Sequence, residues 1–253
     1  MKKNSVPDKN HQNPAEVERQ QARFEAWRKR NPDKQFKDFF SEGARAKLTR
    51  GKPHMTLGAN LHTGAFGSSG QKEFSRLLDE GLKPEDVCVD YGCGTLRIGV
   101  QVMDYLQSGN YWGFDIDHFL LEEGRKLIGR ERMEAKRPNL RLIAPGALAE
   151  AVAGKPSMLF SHGVLIHVHP LELKEYWANI ISMIGDSGKA IVTGRWTYDE
   201  TLQYSGQSWA YAMSTLADVV QELGARLEVI AERDVELEGF GRTIKHGALR
   251  ALR

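Results

Sequence analysis

Residues 87–99 read Val-Cys-Val-Asp-Tyr-Gly-Cys-Gly-Thr-Leu-Arg-Ile-Gly, and they narrow the possible folds more than any other stretch. A short apolar run ends in Asp90, a turn carrying Gly92 and Gly94 follows, and then a segment with helical apolar spacing begins. A strand that enters a glycine turn and leaves it as a helix is the unit with which open α/β sheets hold nucleotide-like ligands. The glycines admit positive φ and, lacking a Cβ, let a ligand approach the backbone. The start of the helix then points free N–H groups at whatever fills the turn.

Two ligands compete for such a turn. A dinucleotide site asks for Gly-x-Gly-x-x-Gly, whose third glycine lets helix and strand pack closely. Here that position is Arg97, a poor residue for such a contact. The run Asp90-Tyr91-Gly92-Cys93-Gly94 instead resembles the first motif of the class I S-adenosylmethionine-dependent methyltransferases, an acid, a spacer and Gly-x-Gly at the end of the first strand. That family commonly has a further glycine where this chain has Thr95 or Leu96, but an Asp-x-Gly-Cys-Gly-x-Leu-Arg variant occurs among its bacterial members. The resemblance implies S-adenosyl-L-methionine as cofactor, with Asp90, Tyr91, Gly92, Cys93, Gly94 and Arg97 about it.

A second motif is Tyr111-Trp112-Gly113-Phe114-Asp115-Ile116-Asp117, with Asp115 lying 25 positions after Asp90. An acid at the tip of a second strand accepts hydrogen bonds from a ribose diol, as in dinucleotide sites. The resemblance makes Asp115 that residue and lays Ile116 against the adenine. Asp117 precedes a helical stretch and reads as its N-cap.

From residue 71 onward, strands and helices alternate. Helices are expected at 72–82, 96–106, 119–128, 148–152, 171–184 and 209–223, and strands at 86–91, 111–115, 140–144, 158–162 and 189–194. Two last strands, 226–231 and 243–252, have only a turn at Gly239-Phe240-Gly241 between them and should pair antiparallel. Alternation implies a parallel sheet with right-handed crossovers. The expected fold is thus α/β: a doubly wound, seven-stranded, mostly parallel sheet closed by a carboxy-terminal antiparallel hairpin. Such a hairpin marks the methyltransferases and is missing from doubly wound dehydrogenases. Residues 71–253 would form this domain and residues 1–70 a basic helical extension. The extension reads as a helix over 14–30 capped by Asn13, a second over 34–48, and a glycine-containing loop at 51–70 placed to serve as a lid. Removal of residues 1–33 is expected to leave the core folded.

Ligands in open α/β sheets lie beyond the carboxyl ends of the strands. At the end of the fourth strand the chain reads Ser161-His162-Gly163-Val164-Leu165-Ile166-His167-Val168-His169-Pro170. The resemblance puts Ser161 beside the methionine part of the cofactor. Imidazoles suit a general base for a hydroxyl acceptor, so His162 and His167 are the candidate catalytic residues, although a packing role for His167 is equally in view. His169 is pushed into extended conformation by Pro170. No carboxylate completes a metal set around His167-x-His169, and two cysteines make no zinc cluster, so no metal is expected. After the fifth strand, Arg195, Trp196 and Tyr198 are candidate acceptor contacts, either for an anionic acceptor or as an aromatic face suited to a sugar or flat organic molecule; a plain hydrophobic cap reads the same way.

Composition sets outer limits. The chain has 253 residues, 41% hydrophobic and 27% charged, as in ordinary globular proteins, and no apolar run long enough for a membrane span. The polar stretch after Met1-Lys2-Lys3 is no signal sequence, and two cysteines at one strand end suit a reduced, cytoplasmic protein. Residues 1–54 hold 14 Lys/Arg against 7 Asp/Glu, leaving a mildly acidic remainder. The favoured reading is methyl transfer to an oxygen of a small-molecule or saccharide acceptor. Neither Asn-Pro-Pro-Tyr nor Asp-Pro-Pro-Tyr follows the fourth strand, which disfavours methylation of nucleic-acid bases. A methyltransferase for RNA or protein, with the basic extension as substrate arm, and a nicotinamide-dependent dehydrogenase are the alternatives.

Overall fold

In a computed structural model the chain is described over residues 13–48 and 70–253; most of the loop expected at 51–70, with Pro53, His54, His62 and Phe66, lies outside the described residues. Two helices open the fold, α1 (Pro14–Arg30) and α2 (Phe36–Leu48), and α3 (Gln71–Asp79) leads into the sheet. The alternation then runs β1 (Cys88–Tyr91), α4 (Gly99–Tyr105), β2 (Tyr111–Asp115), α5 (His118–Ile128), α6 (Arg130–Lys136), β3 (Asn139–Leu142), α7 (Pro145–Ala153), β4 (Met158–His162) and α8 (Leu173–Met183). It continues with β5 (Lys189–Thr197), β6 (Leu202–Ser205), β7 (Ser208–Ala212), α9 (Met213–Glu222), β8 (Arg226–Leu237) and β9 (Arg242–Leu252).

The main sheet has the order β3-β2-β1-β4-β5-β9-β8. Pairs among the first five are parallel, while β9 runs antiparallel to both β5 and β8. These seven strands take the expected mostly parallel arrangement with its closing hairpin, but the full sheet has nine strands, because β7 and β6 extend from β5. Both faces are covered because side chains alternate along each strand. Val89, Tyr91 and Leu159 pack toward α7, α8 and α9, and Cys88, Met158 and Phe160 toward α3, α4 and α5.

Three local expectations are corrected. Residues 208–212 form a strand, where a helix from 209 was expected. In Ser-Trp-Ala-Tyr-Ala the aromatics Trp209 and Tyr211 pack into the main core and Ala210 into a separate cluster, a period of two that no helix has. This strand pairs with β6 and, beyond the end of β4, with β5 at Trp196↔Tyr211. The helix α6 was not anticipated; Gly129, at φ 79°, separates it from α5. The helix after β3 starts at Pro145, three residues earlier than expected, because proline at the first helical position forfeits no hydrogen bond.

The two amino-terminal helices are docked on the sheet domain. Asn13 caps α1 through its side chain, as expected. Phe24 and Trp27 of α1 and Phe36 and Phe39 of α2 are buried in the same cluster as α8 and β7. Phe36 lies edge-on to Trp209 at 5.1 Å between ring centres, and Trp27 Nε1 donates to Glu42 at 2.8 Å. Burying each aromatic ring is worth roughly 1.5–3 kcal/mol. Phe24 and Trp27 are therefore core residues, so removal of residues 1–33, expected to leave the core folded, would expose part of that cluster.

Candidate functional site

The turn after β1 is held from behind. Asp90 is 3% exposed and faces away from the ligand side of the turn, accepting from the Tyr111 hydroxyl at 2.7 Å. Burial, followed by the nearby Asp115 charge, lifts its carboxyl to about 7 against the pull of that hydrogen bond. The N–H groups of Gly92 and Cys93 both donate to Phe114 O, tying the turn to β2. Gly92 has φ +86°, and a Cβ there would overlap the Val164 methyl Cγ2 while meeting its Cβ at 3.3 Å. Leu96, one of the two positions where the resembling family commonly has a further glycine, has a left-handed backbone at φ 67° and is fully buried. Close helix–strand packing, the task Arg97 could not meet, falls to Gly99: a Cβ there would overlap the Tyr111 hydroxyl.

Asp115 at the tip of β2 is 5% exposed and forms part of the wall of a cavity of about 1040 Å³, its open mouth included. One carboxylate oxygen accepts from Gly94 N at 2.8 Å and the other from Asp117 N at 3.0 Å. Burial raises its carboxyl to about 6 in spite of those bonds. A carboxylate has about four acceptor positions, so these backbone bonds do not exhaust its capacity. Beside it Ile116, Leu120 and Ile143 make an apolar slot.

The second amino-terminal helix forms part of the cavity wall. Asp117 caps α5 through Phe119 N, as expected, and also receives a bidentate Arg45 guanidinium at 2.7–3.1 Å and the Ser41 hydroxyl. Burial disfavours the Asp117 charge, but the bonds from Arg45 and Ser41 prevail and hold the carboxyl below its ordinary range. Phe40, Ser41 and Ala44 thereby join the cavity wall, a contribution from residues some 70 positions upstream that sequence reasoning missed. The clue available was a helix bearing Arg45 and Ser41 on one face; its partner was not legible.

At the end of β4, His162 and His167 both line the cavity. His162 Nδ1 lies 3.0 Å from Thr193 Oγ1 and 3.6 Å from Glu73 Oε2. Thr193 Oγ1 also accepts from Gly163 N at 2.9 Å, which fixes the strand end. Burial opposes the charge on Glu73, yet its bond with His162 keeps it below the usual carboxylate range. His167 is tied by Nδ1 to Gln207 O at 2.8 Å and packs against the Phe40 ring. His169 has the expected extended backbone and sits among Phe24, Phe36 and Trp209, outside the cavity. Ser161 is fully buried: it donates to Tyr91 O at 2.8 Å and accepts from the Tyr176 hydroxyl at 2.9 Å.

Of the nine expected cofactor contacts, Tyr91, Gly92, Gly94, Asp115 and Ile116 line the cavity. Asp90, Cys93, Arg97 and Ser161 do not; Asp90 and Ser161 hold the wall from behind, and Cys93 is buried against the sheet. Of the expected acceptor contacts, Trp196 is 0% exposed and Tyr198, 61% exposed, bonds Glu232 on the surface, so neither reaches the cavity. A β-strand covered on both faces buries Trp196 whichever way it points. Arg195 lines a neighbouring cavity. Glu73, Val164, Tyr176 and Asn179 are the further wall and support residues that the sequence did not suggest. No helix among the described residues is long and apolar enough to cross a membrane.

No protein-family model matches the sequence, and no curated protein matches it. Solved structures do resemble the fold. Magnesium protoporphyrin IX methyltransferase from Synechocystis PCC 6803, with bound SAM, superposes with a TM-score of 0.57 at 14% identity, covering 87% of this chain and 98% of that one. The 1,6-didemethyltoxoflavin-N1-methyltransferase of Burkholderia thailandensis, with bound S-adenosylhomocysteine, gives 0.50 at 13% identity over 86% and 87%. The O-methyltransferase of a trans-AT PKS multienzyme of Brevibacillus brevis, also with S-adenosylhomocysteine, gives 0.50 at 13% over 66% of each chain. By this structural likeness and its own strand order, the chain has the Rossmann-like fold of the S-adenosylmethionine-dependent methyltransferases.

Proposed function

We propose that the chain is an S-adenosylmethionine-dependent methyltransferase acting on a hydroxyl of a small-molecule acceptor. The observation that carries this reading is the buried Asp115 carboxylate, braced by Gly94 N and Asp117 N, in a cavity whose floor is the Gly92–Gly94 turn. Asp115 would hold the ribose diol, Ile116 and Ile143 the adenine, and the turn with Tyr91 the amino-acid end. When bound, the cofactor supplies a methyl group on a positively charged sulfur, already an electrophile.

What is left to the protein is alignment, exclusion of water and removal of a proton. The Ser41 and Arg45 contacts to Asp117 hold α2 against the cavity, where Phe40, Ser41 and Ala44 form part of its wall. His162 is the favoured base over His167. The Glu73 carboxylate near its Nδ1 favours the Nδ1–H tautomer, which leaves the Nε2 lone pair to take a proton. His167 has its Nδ1 committed to a main-chain carbonyl and positions the following loop. The reading with an RNA or protein substrate has less support, because Lys34, Lys37 and Arg45 in the basic segment pair with acids of the fold itself.

Thermal shift and calorimetry with S-adenosylhomocysteine, NAD and NADP test the cofactor assignment. Saturation at 100 times Kd with the first should stabilise by about 2.7 kcal/mol. A response only to NAD or NADP sinks the proposal. For the base, His162→Gln should lower turnover by about 10²–10⁴ with S-adenosylmethionine affinity kept. Full turnover in that variant removes His162 from the chemistry, and salt-dependent RNA binding would revive the substrate-arm reading.

A further inference from the structure

A second cavity, about 880 Å³ with its mouth, lies across His162 and Gly163, which line both spaces. Its walls come from α3, from the ends of β4 and β5, and from the β8–β9 hairpin. Four of its side chains are cations, Lys72, Arg76, Arg195 and Arg233, and two are acids, Glu73 and Glu232. Both acids are already engaged. Glu73 pairs with Arg76 and faces His162, while Glu232 accepts from the Tyr198 hydroxyl at 2.8 Å and lies 3.8 Å from Lys245. Among the described residues, no carboxylate lies within ion-pair distance of Lys72, Arg195 or Arg233.

Register places two of these cations side by side. Arg195 of β5 is opposite His246 of β9, and Arg233 of β8 is opposite the same His246. Directly paired residues share a face, so Arg195 and Arg233 flank His246 on one side of the sheet, roughly 10 Å apart by strand spacing. Arg195 is half-buried, its guanidinium 4.8 Å from the Tyr204 ring centre, an arrangement that orients the group and leaves its charge intact. Arg233 reaches His246 Nδ1 at 3.3 Å. Burial, then the charges of Arg195 and Arg233, hold the His246 imidazole down to about 4, so it is neutral near pH 7 and adds no competing charge. Two guanidiniums in a recess with no opposing carboxylate of their own make a site for an oxyanion.

We propose that this second cavity is the acceptor site, and that the acceptor is a small molecule bearing a carboxylate or phosphate held by Arg195 and Arg233 while its hydroxyl faces His162. The inference rests on the methyl-transfer reading for the role of the site, but the anion site itself can be tested independently.

The test uses the full chain, with and without S-adenosylhomocysteine, titrated with inorganic phosphate and with benzoate at constant ionic strength; tetramethylammonium serves as the cation control. Calorimetry and thermal shift should show saturable binding of at least one anion and none of the cation. Arg195→Met and Arg233→Met should each weaken that binding roughly 10- to 100-fold and leave S-adenosylhomocysteine affinity within about twofold. Which anion binds more tightly selects phosphate or carboxylate. If Arg195→Met does not fold, Arg195→Lys, which keeps the charge and loses the planar fork, should still show several-fold weaker binding. No saturable binding of either anion, or equal binding in the variants, overturns the anion site. Anion binding that depends on Arg195 in a chain that ignores S-adenosylhomocysteine would leave the anion site standing and remove the methyl-transfer reading instead.

Discussion

Replacing Gly92 by alanine tests the geometry of the ligand turn directly. Two costs are expected. At φ +86° an L-residue is strained by roughly 1–2 kcal/mol. The new methyl would also overlap Val164 Cγ2 and press on its Cβ and Cγ1 at 3.3 and 3.4 Å. Turning the valine to point Hβ at the new methyl would relieve the Cγ2 overlap but leave Cβ close, and valine is stiff at χ1. Overpacking of this kind costs about 1–3 kcal/mol. Gly92→Ala should therefore lose about 2–5 kcal/mol in urea denaturation. Calorimetry should also show weaker S-adenosylhomocysteine binding, because the loops after β1 and β4 must separate at the cavity floor. Adding Val164→Ala should recover the overpacking part and leave the φ part, a coupling of about 1–3 kcal/mol in a double-mutant cycle. A loss below about 1 kcal/mol, or a coupling near zero, would refute the close approach of these two loops.

Asp115 sets a pH dependence. Its carboxyl is raised to about 6 by burial, and only the ionised form offers all its acceptors to a diol, so S-adenosylhomocysteine affinity should fall as pH drops through 6 and level off above it. The limiting slope is about tenfold per pH unit, and Asp115→Asn should bind weakly with a flat profile; an unchanged slope in that variant assigns the titration elsewhere. Phe24→Ala should cost about 3–5 kcal/mol, a large share of a typical domain stability, and deletion of residues 1–33 more; a truncated chain with an unshifted melting temperature contradicts the docking of α1. Trp196→Ala should likewise cost about 3–5 kcal/mol, whereas Tyr198→Ala should stay within about 1 kcal/mol in the same denaturation assay.

Short-range signals in the chain were enough for the scaffold. Alternating strand and helix patterns, a glycine turn after Asp90 and a closing pair of strands without a helix between them specify a doubly wound sheet with an antiparallel edge. Caps such as Asn13 and Asp117 were readable because a cap bonds N–H groups two or three residues away. The place of Asp115 in the cavity wall was readable because it follows from its position at a strand tip. The strand at 208–212 was readable too, had the alternation of Trp209 and Tyr211 with alanine been weighed above helical propensity.

The walls of the site were decided by tertiary structure alone. Ser41 and Arg45 meet Asp117 more than 70 positions away. Arg195 and Arg233 come together only because β9 lies between their strands with His246 in register with both. Asp90 and Ser161 sit inside motifs that suggest ligand contact, yet each spends its side chain on a protein partner behind the cavity wall. Trp196 looked available beside Arg195, but the sheet is covered on both faces and buries it. Local sequence sets which backbone conformations are cheap. Which side chains face a shared space depends on contacts between distant segments, and those are selected by burying apolar faces together, a driving force that is non-directional and carries no mark in the spacing of any one segment.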